Sequence, residues 1–137
     1  MATVVLLLNR CLLAVILAQL LVGCGRIVPA DIAGTYVRTF RGLSETVVVK
    51  PDGMFKQTVN YGDGETFTIT DSWTNDYKQV CFKRLYFTFS VETGNTIKPP
   101  ELRHMAYLRW EQDVLVVNAD IANRAYLFRK QSQAKRQ

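Results

Sequence analysis

From Gly34 onward, turn-forming residues interrupt the chain every few positions, and the stretches between them alternate at a period of two. That pattern limits the fold more than any other feature. Successive side chains of a strand point to opposite faces, whereas a helix repeats about every 3.6 residues. Residues 65–74 show it most plainly: Thr66, Thr68, Thr70 and Ser72 fall on one face, and Phe67, Ile69 and Trp73 on the other. Asp71 shares the apolar face, which calls for a bulge or a satisfied buried acid. The bulge is the expectation, because an unpaired buried carboxylate is the costlier arrangement. Pro51-Asp52-Gly53 reads as a hairpin turn, with Gly53 at positive φ. No window after residue 24 sustains a helical period. The expected fold is all-β: a small antiparallel meander, barrel or sandwich, of about eight or nine strands.

The expected strands cover residues 35–40, 45–50, 54–61, 65–74, 79–82 with 85–91 (possible as one bent strand), 105–110, 114–117 and 124–130. Residues 92–104, with Lys98-Pro99-Pro100, read as the longest irregular stretch, and 118–123 as a polar connection. The domain division is 1–23 signal peptide, 24–33 tether, 34–130 β domain and 131–137 disordered basic tail. At 48% hydrophobic and 21% charged, the chain has the composition of a globular protein, which excludes a disordered or collagen-like one.

The first 23 residues are of another kind. They hold no acid, no aromatic residue and one base, Arg10. The apolar run 11–23 is shorter than the roughly 20 residues of a membrane-spanning helix and fits the roughly 7–15 of a signal-peptide core. The apolar stretch 3–8 ahead of Arg10 departs from the usual charged start, and a start at Val4, Val5 or Leu6 would restore it. Leu21-Val22-Gly23-Cys24 then closes the run.

These four residues resemble the lipobox of bacterial lipoproteins. The resemblance implies that Cys24 receives a diacylglycerol thioether, is cleaved at its amino side and becomes the acylated N-terminus. Several acyl chains anchor stably where one would not. The alternative is an ordinary signal peptide or an uncleaved anchor. Gly25, rather than Asp, after Cys24 resembles the enterobacterial pattern for the outer membrane, so the expected location is its periplasmic face. With Cys11 removed and Cys24 acylated, Cys81 is left alone and no intramolecular disulfide is expected. Its place in Val80-Cys81-Phe82 predicts a buried small hydrophobe.

Chemistry-bearing patterns are sparse. The single histidine, His104, lies near no Gly-x-Ser-x-Gly elbow, and no zinc spacing is present. Asn60-Tyr61-Gly62-Asp63-Gly64-Glu65 is rich in oxygen ligands, but a tight hairpin explains each residue without the twelve-residue calcium loop. No catalytic residue, cofactor or metal ligand is expected, and the chain reads as a non-enzyme. Sixteen bases against twelve acids after residue 23 give a mild positive balance. Arg129, Lys130, Lys135 and Arg136 cluster near the C-terminus, as a solvated tail or as a contact with anionic headgroups or polymers. Nucleic acid is not an expected partner of an exported chain.

Gly34-Thr35-Tyr36, the strand ending in Pro51-Asp52-Gly53, the Phe55–Thr58 strand and Trp73 together resemble small β-rich bacterial lipoproteins of uncharacterised function. Gly-Thr-Tyr is also faintly similar to the Gly-x-Trp opening of lipocalins and avidins, with Tyr36 in place of Trp. The functional expectation is a lipid-anchored envelope protein whose β domain is an interaction or structural module, with the membrane and an envelope protein or polymer as partners. The alternative is a calycin-like barrel holding a small apolar ligand in an interior lined by some of the fifteen aromatic residues. A hydrolase using His104 is a third, weaker reading.

Overall fold

A computed structural model describes residues 29–76, 79–90, 93–117 and 127–132. The expected signal peptide, Cys24, most of the expected tether, the expected connection 118–123, the first three residues of the expected strand 124–130 and residues 133–137 of the expected tail lie outside the described residues. After one helical turn, α1 (Pro29–Ile32), eight strands follow: β1 (Gly34–Phe40), β2 (Leu43–Val49), β3 (Met54–Asn60), β4 (Thr66–Asp76), β5 (Gln79–Phe89), β6 (Thr96–Glu111), β7 (Val114–Val117) and β8 (Leu127–Lys130). Each pairs antiparallel with the next, and β8 returns to β1, closing a meander barrel. The fold class expected from alternation is the one observed, as a barrel and with eight strands.

The interior is built by that alternation, with one change of phase in β5 between Phe82 and Leu85. Tyr36 from β1, Val47 from β2, Phe55 from β3, Trp73 from β4, Phe82 and Leu85 from β5, Leu108 from β6, Leu115 from β7 and Phe128 from β8 are all buried. Phe55 and Phe82 meet edge to face at 4.7 Å. Large rings fill the middle of a barrel of this strand number. At one end Ile32 of α1 is fully buried, and the Tyr36 hydroxyl donates to its carbonyl at 2.5 Å. The last residues of the expected tether therefore fold onto the barrel.

The Pro51–Gly53 turn forms as expected, with Gly53 at φ 85°. Trp73 fastens it: its indole N–H donates to the Lys50 carbonyl and its backbone N–H to that of Gly53, each at 2.8 Å.

Three expectations need correction. Residues 92–104 are not one irregular stretch, because β6 begins at Thr96 and runs for 16 residues. Phe89 pairs with Thr96 and Phe87 with Glu101, so residues 97–100 of β6 stand opposite Thr88 alone. Pro99 and Pro100 thus sit in a bulge, where the ladder needs no donor. Second, β4 contains no bulge at Asp71: its register against β3 runs unbroken from Asn60↔Thr66 to Met54↔Ser72. Asp71 keeps its place on the apolar face because Arg84 neutralises it there. Third, Cys81 is half-buried rather than buried. Val80 and Phe82 take the interior, which turns Cys81 to the outer face, beside Met105 in a shallow groove.

Candidate functional site

Two polar constructions interrupt the apolar interior. The first lies between β1 and β2. A two-residue hairpin, Arg41-Gly42, with both φ values positive (49° and 80°), sets Arg38 directly opposite Glu45. Alternation points both side chains inward, where they are 3% and 0% exposed. Arg38 Nη1 donates to Glu45 Oε1 at 2.8 Å and to Thr88 Oγ1 of β5 at 3.3 Å, and the Thr88 hydroxyl donates to Glu45. The Arg38 guanidinium also lies 5.0 Å from the Phe40 ring centroid. A charge pair in such a place holds only if its hydrogen bonds are well made, since both ions have lost their water.

The second is a seam between β4 and β5. Their ladder joins Trp73–Asp76 to Gln79–Phe82 and stops there. Beyond it, side chains of β3 and β4 reach Arg84 and Tyr86 of β5 instead. Gln57, fully buried on β3, donates through Nε2 to the Tyr86 carbonyl at 2.9 Å and accepts the Tyr86 N–H on Oε1 at 2.6 Å. Arg84 donates to Asp71, which also accepts the Ser72 N–H at 2.8 Å. Both donors hold the Asp71 carboxyl below the usual carboxylate range, Arg84 first. Phe67 meets Tyr86 at 6.2 Å and Tyr61 at 5.9 Å, each edge to face.

Next to the seam, Lys98 of β6 pairs with Asp63 and, at 3.0 Å, with Glu65. The Tyr61 hydroxyl donates to the Ile97 carbonyl. The oxygen-rich hairpin of residues 60–65 thus serves a lysine. Lys98 holds the Asp63 carboxyl down, and its own ammonium is raised in turn. Among the described residues no group of three or more His, Cys, Asp or Glu side chains could hold a metal ion. His104 is exposed on β6, opposite Arg84. Of the basic cluster, Arg129 is exposed, and Lys130 is drawn to the Asp31 carbonyl at 2.7 Å. An open groove of about 730 Å³ lies at the α1 end of the barrel, bordered by Val48, Val49, Asp113 and Lys130.

None of Arg38, Glu45, Gln57 or Tyr86 stands out as a motif in the sequence. Arg38 and Glu45 carried a usable signal, because a turn confined to Arg41-Gly42 pairs them by counting. Gln57 and Tyr86 did not, because their contact spans 29 positions. No family model matches the chain, and no curated protein or solved structure matches it either.

Proposed function

We propose that this chain is a lipid-anchored cell-envelope protein whose β barrel is an interaction or structural module. The observation that carries the reading is the apolar run 11–23 ending in Leu21-Val22-Gly23-Cys24. Acylation of Cys24 would leave only residues 25–28 before α1, which reach about 14 Å at roughly 3.3–3.6 Å per residue. Ile32 and Tyr36 fix α1 to one end of the barrel, so that end would face the bilayer. The side chains filling the interior favour an interaction module over a carrier. The second reading, a calycin-like apolar-ligand barrel, is compatible with the closed meander, but Tyr36, Phe55, Phe82 and Phe128 occupy the space such a ligand would need.

The test is metabolic labelling with a lipid precursor. Wild type takes up the label, while Cys24→Ser loses it and accumulates as unprocessed precursor. Normal maturation of the variant, with no label in wild type, overturns the proposal.

A further inference from the structure

The β4–β5 ladder ends at Trp73↔Phe82, which leaves residues 66–72 of β4 outside any ladder on the side away from β3. The directions of their backbone groups follow from the bonds on either side. The Trp73 N–H goes to Gly53 on the β3 side, so alternation turns the N–H groups of Thr68, Thr70 and Ser72 toward β5. Ser72 finds the Asp71 carboxylate there. Across the gap, Tyr86 turns both its N–H and its carbonyl into the seam, and one carboxamide satisfies the two. A primary amide carries the donor and acceptor of a peptide group. Gln57 is therefore an internal stand-in for a peptide unit at the place where a strand neighbour would lie.

The β4 edge carries one blocking device, the inward carboxylate of Asp71, and only at one end. Natural edges are guarded by lysines, prolines, bulges or inward charges. Residues 66–72 contain no lysine, proline or bulge, and their outward side chains, Thr66, Thr68 and Thr70, are exposed and uncharged. The charged clasp, Asp71 with Arg84, sits at one end of the seam, with the Arg84 side chain 41% exposed.

The geometry points to this seam as a strand-acceptor site. Its occupant is an extended segment of another polypeptide, which pairs with β4 through main-chain hydrogen bonds and displaces the side chains that now bridge to β5. Main-chain pairing fixes the class of partner, and the alternation of Phe67 and Ile69 inward against Thr68 and Thr70 outward asks for one apolar face and one polar face. This inference rests on the interaction-module reading and names the surface that would serve it.

The test uses the full chain in detergent micelles, titrated with a synthetic peptide of the sequence of residues 83–89, Lys-Arg-Leu-Tyr-Phe-Thr-Phe. Backbone amide resonances of Thr68 and Thr70 and the Gln57 side-chain amide should shift saturably, while residues 43–49 stay unchanged and a scrambled peptide has no effect. Arg84→Gln, which opens the exposed clasp, should tighten binding about threefold or more, a difference of roughly 0.6 kcal/mol. Absence of shifts in residues 66–72 at about 1 mM peptide, the weak end of specific affinities, overturns the inference. So do shifts confined to another face, or sedimentation showing that a second copy already covers β4. Lipid labelling at Cys24 is read separately: a labelled chain that ignores the peptide refutes the seam and leaves the anchor standing.

Discussion

Between β1 and β4 the three ladders run without a register shift, from Gly34↔Val49 through to Met54↔Ser72, and joined by turns of a few residues. Beyond Trp73 the rules change. The β4–β5 ladder stops after four pairs, the β5–β6 ladder jumps at Phe87/Phe89, and β7 and β8 are four residues long. The first half is held by the backbone and tuned by side chains. The second is held in part by side chains that stand in for the backbone: Gln57 at Tyr86, Asp71 at Ser72 and Arg84. A ladder built from local hairpins can be read from alternation, while a closure built from distant side chains can be assembled only once the barrel exists.

The largest test of this contrast is Trp73→Ala. Trp73 stands where the two regimes meet, buried at 4% and bonded to the Lys50 turn. Its loss should cost about 3–5 kcal/mol in urea unfolding, a large share of a small domain's stability. An effect below about 1 kcal/mol would mean that the junction is not structural. Glu45→Leu comes next, since it leaves Arg38 buried beside an apolar side chain; about 3 kcal/mol is expected. The double variant Arg38→Met/Glu45→Leu should recover most of that loss, because a matched apolar pair removes the desolvation cost of both ions. If the double variant is as unstable as the single, the pair contributes through packing alone.

Asp71→Asn should have the smallest effect, lowering the urea midpoint without unfolding the chain. It is nevertheless a loss, where a solvent-facing carboxylate at a bulge would have been neutral. The pH dependence follows from the same contact. The folded-state pKa of Asp71 is depressed, by Arg84 above all. Its contribution is therefore complete above the ordinary carboxylate value and fades as pH falls below it, through the folded value. Wild type should lose its advantage over Asp71→Asn as acid is added, and a difference that persists unchanged would place the effect elsewhere. At the alkaline end, burial of Tyr36 pushes its hydroxyl up to about 12 from 10.0. Stability conferred by the neutral ring is present below pH 10.0 and is lost as pH rises toward about 12.

The bounds of β1 to β4 were legible within a residue or two, because each apolar position that alternation assigned inward also met a neighbour through a short turn. Trp73 and Gly53 were legible for the same reason. The prolines of β6 misled because a proline normally ends pairing, and only the partner strand reveals that Pro99 and Pro100 occupy a bulge. Asp71 misled because its partner emerges only once the β4–β5 register is fixed: extending Trp73↔Phe82 by two residues sets Arg84 opposite it. Cys81 misled because an apolar neighbourhood in sequence says nothing of which face a given residue takes until the strand's phase is fixed.

Residue-resolved amide hydrogen exchange on the full chain tests the division between the two halves most directly. The amides of Thr68 and Thr70 turn into the seam, while those of β2 and β3 that join the ladders lie in unbroken pairing. Exchange of Thr68 and Thr70 should proceed through local openings, about a hundredfold or more faster than exchange of the ladder amides of β2 and β3, which require global unfolding. Gln57→Leu should extend that fast exchange to Tyr86. Protection of Thr68 and Thr70 at the level of the β2–β3 ladder would contradict the side-chain closure of the seam, and with it the strand-acceptor site.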